Sequence, residues 1–442
     1  MAFPRRKCEH KTPVPESFGR SWAPARSWID ISNSRCYHNR SFSRRPHGAP
    51  LWRRLLQNNM KNLAVIIILF ASALLLLAGV AEKILHRRAL RAIPVRILVN
   101  GTRGKTSVTR LLAAILREAG VRTWAKTTGT QAVWILPDGS EQEYRKNRPV
   151  NIREQIPFFR RAAQDGAQAT VVECMALHPE NQRMMAEEFV RPTIVVLTNA
   201  RVDHVCEIGS TIEETAETLA LSIPAGARVV ADDACFDAYA PGRVSSLDEE
   251  IDEDYLNSFS YPMFADNARQ ALCVARLLGI PRETALRGMR AARPDAGMCG
   301  PFRVGECTVI NAFAANDPDS SRAALEKALE QEDLADAPLW VLFNNRADRG
   351  FRAAEFVPLL RELAARGAQV RVIGERAAAV ARYFARHAQA PAARLEKAPL
   401  AWLEERGAAR CAVLCLGNIR GAGREAIEAL LARKDGASGA SA

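Results

Sequence analysis

VRILVNGTRGKTSVTRLLAAILREAG, Val95 to Gly120, runs from an apolar segment through a glycine-bearing turn into a helical pattern. It reads as strand, phosphate loop, helix. Gly101 and Gly104 let the backbone turn tightly around an anion. Lys105 supplies a point charge, and Thr106 or Ser107 offers a hydroxyl to a magnesium ion. Thr102 completes the loop, whose implied ligand is a nucleoside triphosphate. The general Walker pattern places a further glycine five residues before Gly104, where this chain has Val99. The loop is therefore of the shorter GTxGK[ST] type. The following helix, from about Ser107 to Ala119, carries Val108, Leu111, Leu112, Ile115 and Leu116 on one face, and Gly120 stops it.

The rest of the 442 residues bounds what this loop can serve. Nearly half of them are hydrophobic (48%), enough for two or three domains with real cores. The net charge of +12 invites a nucleic-acid reading, but residues 1–59 hold twelve Lys or Arg against three Asp or Glu and account for most of the excess. No basic cluster interleaved with aromatics follows, so nucleic acid is not expected as a partner. Ten cysteines occur without a CxxC pair and read as reduced core thiols.

Residues 1–59 are rich in Arg, Ser, Pro and His without periodicity and read as a disordered extension. Leu63 to Ala81 then runs nineteen residues without a charge. As a helix it spans about 28 Å, close to the hydrocarbon thickness of a bilayer. A membrane helix with its flank is expected over 60–85. The rival, a cleaved signal peptide ending at Gly79-Val80-Ala81, has a shorter apolar core and leads out of the compartment that holds ATP. His86, Arg87, Arg88 and Arg91 follow the run, and the positive-inside rule puts that flank, with the catalytic part, in the cytoplasm.

Beyond the loop, Ala169 to Cys174 and Thr193 to Thr198 are short β-branched runs, with Glu173 and Asn199 at their polar ends. The carboxyl ends of parallel strands form the ligand crevice of an open α/β sheet, so both are expected to converge on the phosphates. A helix is expected over Asp266 to Leu278, and Gly297 to Gly305 is a glycine-rich junction. Strand patterns resume at Thr308 to Ile310, Leu339 to Phe343, Val370 to Ile373 and Ala412 to Leu416, with helical patterns between them. The organisation expected is a P-loop domain over 92–298, a smaller Rossmann-like α/β domain over 299–435 and a disordered tail over 436–442. The late cluster GNIRGAG, Gly417 to Gly423, reads as a plain turn.

Four separated stretches, GTRGKTS, VVECMAL, TNARVDHV and NAFAANDPDSS, place polar residues at strand ends or turns. Together with KTTGTQA from Lys126, FADNARQAL from Phe264 and NNRADR from Asn344, they resemble the Mur ligase superfamily, and more closely the ligase subunit of poly-γ-glutamate synthases, the PgsB or CapB type. The resemblance covers about residues 60–435. It implies an ATP-dependent amide ligase that activates a carboxylate as an acyl phosphate and extends a glutamate polymer at the cytoplasmic membrane face. It implies ATP and Mg²⁺, with Lys105 on the phosphates and Thr106 and Glu173 on the metal. His204 matches a residue that helps bind a second metal, beside Asp203 and Asn199. Asn267 matches a position near the base, Arg303 an arginine reaching the γ-phosphate, and Asn316 and Asp317 a segment facing the nucleotide. For the last two a turn or helix cap before Pro318 is an open alternative. Arg346 and Arg349, after a strand end, could meet an anionic substrate or form an exposed charged loop. Many Mur ligases carry a modified lysine after the DH motif; no lysine lies between Lys146 and Lys327 here.

Small membrane and surface subunits of a synthase and export complex are the implied partners, alongside glutamate and the growing polymer. A different class, a membrane-anchored P-loop ATPase or kinase regulating polymer export, needs neither ECMAL nor DH, and another Mur or folylpolyglutamate-type ligase is a nearer alternative. A basic arm on the far side of the membrane runs against the positive-inside rule, so translation is expected to start at Met60. A peptide containing Trp22 or Trp28 in mass spectra of the native protein contradicts that expectation.

Overall fold

The computed structural model describes residues 51–129, 132–144, 151–201, 207–259, 261, 263–295, 301–313, 315, 317–347, 352–390 and 393–438. The chain divides at Ala73. In the first unit the described residues are helical, belonging to the helix Leu51–Ala92. This helix starts nine residues earlier than the expected membrane segment. Its stretch Val65–Ala92 is long and apolar enough to cross a membrane.

The second unit holds two α/β sheets. The first contains β1 (Val95–Asn100), β2 (Thr123–Thr127), β3 (Val133–Ile135), β4 (Glu141–Glu143), β5 (Ala169–Glu173), β6 (Ile194–Leu197) and β7 (Arg228–Ala231), in the order β4-β3-β2-β5-β1-β6-β7. β1 lies between β5 and β6, parallel to both. Burial on both faces explains why its sequence is a continuous apolar run rather than an alternating one. Among the described strands only β3 runs opposite to the rest, pairing antiparallel with β2 and β4 at one edge. On one face, Val108, Leu111, Leu112 and Ile115 of the helix Lys105–Glu118 pack with Leu272 and Met289. On the other, Leu98 and Val172 meet Trp124, Phe158 and Phe159.

The second sheet contains β8 (Phe302–Val304), β9 (Cys307–Asn311), β10 (Leu339–Asn345), β11 (Gln369–Gly374), β12 (Arg394–Leu395) and β13 (Cys411–Gly417), in the order β12-β11-β10-β13-β9-β8. All but the edge strand β8 are parallel. Apolar clusters cover both faces, around Phe343, Phe356 and Phe384 on one and Trp402, Leu403 and Val413 on the other. Among the described residues Cys174, Cys273, Cys307, Cys411 and Cys415 are free and buried, in keeping with core thiols.

The last turns of the long helix are built into the first sheet's core. His86, Leu90 and Ile93 are buried, and the His86 ring donates from Nε2 to the Phe189 carbonyl at 2.9 Å. A helix end leaves carbonyls without partners. Arg96 of β1 meets two at this end, donating through Nη1 to Leu90 O and Ile93 O at 3.1 and 2.5 Å.

Packing against the phosphate-loop helix is close enough to require glycine. Gly288, in the helix Arg282–Arg290, lies so near that a Cβ there would fall 2.6 Å from the Ile115 Cα. Backbone cannot yield as a flexible side chain does, so Gly288→Ala is expected to cost about 1–3 kcal/mol. A lowered Tm of the detergent-solubilised full chain is the expected result; an unchanged Tm contradicts the contact.

Candidate active site

The parallel register of the first sheet brings three strand ends level. Val99 pairs with Glu173 and Asn100 with Leu197, so the chain leaves β1, β5 and β6 within one residue of the same height. Gly101, at φ 128°, turns beneath Thr198, and a Cβ there would sit 2.1 Å from the Thr198 hydroxyl. Gly104, at φ 83°, precedes the helix without a side-chain cap, and a Cβ there would meet Asn267 Oδ1 at 2.4 Å. Both positions need glycine for space as well as for φ.

The loop is tied down from β6. Asn199 Oδ1 accepts from the Thr102 hydroxyl at 2.6 Å and the Arg103 amide at 3.0 Å, while the Thr198 hydroxyl donates to Arg103 O at 2.5 Å. Lys105 folds back over the turn, its ammonium donating to Gly101 O at 2.6 Å and Thr102 O at 3.2 Å. The ammonium is thus held over the mouth of the loop. Together with the N-terminus of a fourteen-residue helix, this forms a site for a polyanion.

Glu173 is 3% exposed at the end of β5. Its Oε2 accepts from the Thr106 hydroxyl at 3.1 Å and the Thr128 amide at 2.7 Å. At Gly129 a Cβ would lie 2.5 Å from Thr106 Oγ1 and 3.2 Å from Asp295 Oδ2, so the Asp295 carboxylate borders the same small space. Hydroxyl and carboxylate oxygens in this arrangement suit a hard divalent cation. Beside them, burial pushes the Cys174 thiol up to about 11, so it stays protonated and is no nucleophile at neutral pH.

These groups form one wall of a cavity of about 690 Å³, within the range of small-molecule sites. The opposite wall comes from the second sheet: Asp317, Arg346, Arg352, Asn418 and Arg420. Arg103 Nε reaches across to Asp317 Oδ2 at 3.7 Å.

Two family models match in this order. A Mur ligase middle domain matches residues 99–230, and a poly-γ-glutamate synthase CapB C-terminal domain matches 299–433. PGA synthase CapB of Bacillus subtilis (strain 168) is 37% identical over 306 residues, 66% of this chain and 77% of that protein. The chain belongs to the CapB family. The capsule biosynthesis protein CapB of Bacillus anthracis is 34% identical over 307 residues, 66% of each chain. Among solved structures, E. coli FolC in complex with ADP has TM-score 0.61 at 15% identity, covering 80% of this chain and 94% of its own. MurF from Acinetobacter baumannii has TM-score 0.56 at 16% identity, covering 80% and 78%. These likenesses establish the fold, the Mur ligase type of α/β architecture. A CapB-family chain is an ATP-dependent ligase that forms amide bonds.

The structure brings many of the residues singled out from the sequence into one cavity. Gly101, Thr102, Gly104, Lys105, Thr106, Ser107, Glu173, Asn267 and Asp317 all line the cavity. Asp317 is also the cap of the helix Pro318–Gln331, its Oδ1 accepting the Ser320 amide at 2.8 Å, so the alternative weighed for it is observed as well. Arg303 requires correction. It is 63% exposed on the edge strand β8, 3.4 Å from Glu332, and is not among the cavity's lining residues. Being on an antiparallel edge strand, it follows no carboxyl end of the parallel sheet. Asp203, His204, Asn316 and Arg349 lie outside the described residues.

Cavity residues that sequence reasoning missed come from late in the chain. The stretch GNIRG, taken for a plain turn, brings Asn418 and Arg420 to the cavity. The signal was there: a glycine cluster directly after a strand, of the kind that marks ligand loops. Arg352 is 2% exposed and donates to Asn418 Oδ1 at 2.7 Å, while Asn344 donates through Nδ2 to Arg420 O at 2.9 Å. Asn199, expected to converge on the phosphates, does so by ordering the phosphate loop.

Proposed function

We propose that this CapB-family ligase extends poly-γ-glutamate at the cytoplasmic face of a membrane, to which a single helix anchors it. The observation that carries the reading is the two-walled cavity, with the phosphate loop and Glu173 on one side and three arginines on the other. Such a site takes ATP on the first wall and an acidic acceptor between the two.

The residues fit both groups the reaction needs. The cradle of Gly101 to Ser107 offers backbone amides and Lys105 to a triphosphate, its turn held close by glycines that leave no room for a Cβ against Thr198 and Asn267. Thr106 and Glu173, with Asp295 nearby, would hold Mg²⁺, which when bound neutralises phosphate charge. The acceptor's carboxylate oxygen attacks the γ-phosphorus, giving an acyl phosphate and ADP. The incoming amine then attacks the acyl carbon and loses a proton, and phosphate leaves with the carboxylate oxygen. Lys105 stabilises charge on the transferred group, and Arg346 and Arg420 orient the anionic acceptor and the acyl phosphate from the facing wall. A folylpolyglutamate-type ligase shares this chemistry; similarity to the two CapB proteins favours the glutamate polymer. The family name also points to a synthase complex in which further subunits carry the product away, since one helix forms no conduit.

Membranes carrying the full chain are expected to release ADP in a glutamate-dependent manner. Lys105→Ala and Glu173→Ala should lower that rate at least about 100-fold, whereas Arg303→Ala should leave it near wild type. ATP turnover indifferent to glutamate contradicts the ligase reading, and an Arg303→Ala defect equal to that of Lys105→Ala contradicts the site as drawn.

A further inference from the structure

A second cavity, of about 400 Å³, lies away from the active site. It is lined by Glu82 of the long helix, Trp134 of β3, and Arg153, Arg160, Arg161 and Gln164 of the segment leading into and through the helix Gln155–Gln164. Its depth relative to a bilayer follows from sequence and contact together. The uncharged run ends at Ala81, so Glu82 is the first ionic side chain beyond it and belongs at the level of the lipid headgroups. Arg153 forms an ion pair with Glu82, which holds the start of the Arg-bearing segment at that level. The tie is not a loose one. Lys83 bonds Glu188 at 3.1 Å, and His86 is buried against Phe159 and Phe189. These helical turns are therefore fixed to the folded domain.

Three guanidinium groups face this groove against one carboxylate, and Arg160 and Arg161 are exposed. Such a concentration of charge at headgroup depth, with an indole on the wall, matches an anionic phosphate ester more closely than a neutral zwitterion. The basic residues are also distant in sequence from the membrane helix, so the fold rather than the usual flanking cluster brings them there. We propose that the groove between Glu82 and the helix Gln155–Gln164 binds the headgroup of an anionic phospholipid. Bound lipid holds Arg160 and Arg161 at the level of the headgroups. The inference rests on the membrane-anchor reading of the long helix.

Native mass spectrometry of the full chain, released from micelles holding equal phosphatidylglycerol and phosphatidylcholine, tests it. Phosphatidylglycerol should be retained preferentially, and Arg160→Gln/Arg161→Gln should reduce that preference at least about fivefold, the factor expected for one arginine beside an anionic surface. Glutamate-dependent ADP release in detergent should be unchanged in this variant. Arg382→Gln/Arg386→Gln, which removes the same charge from the exposed face of another helix, should keep the preference. Equal retention of the two lipids in the wild type overturns the proposal, as does equal loss in both double variants. Binding of a glutamate oligomer that Arg160→Gln/Arg161→Gln abolishes, with lipid retention unaffected, assigns the groove to the polymer and also overturns it. Failure of the underlying reading is separable: release of the chain from membranes by alkaline carbonate removes the anchor, whereas a chain that stays embedded without lipid preference removes only the site.

Discussion

The register of β1 against β5 and β6 is the constraint on which the site depends. Because Asn100 stands level with Leu197 and Val99 with Glu173, the turn at Gly101 emerges between two polar strand ends. Asn199 then holds Thr102 and Arg103, and Glu173 holds Thr106 and Thr128. A one-residue slip of either neighbour would turn Glu173 or the Thr198 side chain to the other face of the sheet. The buried hydrogen bonds at these ends are costly to leave unmade, so they lock loop and register together.

From this centre the same strand reaches in two directions. At its start Arg96 closes the end of the long helix, and Ile93 and Leu90 sink into the core beside β1. At its end lies the phosphate loop. Six residues of β1 thus lie between the buried end of this helix and the phosphate loop.

Sequence made the first wall of the cavity legible and left the second mostly hidden. The phosphate loop and Glu173 are local signals, each set by a strand pattern running into a glycine or a carboxylate. The other wall has no such locality. Arg346 could be picked out from its place after a strand end, but Arg352 and Arg420 reach the cavity because β10 and β13 are neighbours, a pairing that no spacing in the chain announces. Arg303 failed for the complementary reason: proximity to a glycine-rich junction suggested an inward arginine, but β8 is antiparallel and ends at the sheet's edge. The ends of the parallel strands that were expected lie within a residue or two of those observed, because buried parallel strands are continuous apolar runs bounded by polar residues, whereas the short edge strands β4, β8 and β12 carry no such run.

The proposed chemistry turns on activation of a carboxylate by phosphorylation in the cavity between the two sheets. Glutamate labelled with ¹⁸O in its carboxyl groups, supplied with ATP and Mg²⁺ to membranes carrying the full chain, tests it directly. Each amide bond formed is expected to release inorganic phosphate carrying one ¹⁸O atom. Polymer formation with unlabelled phosphate would contradict it.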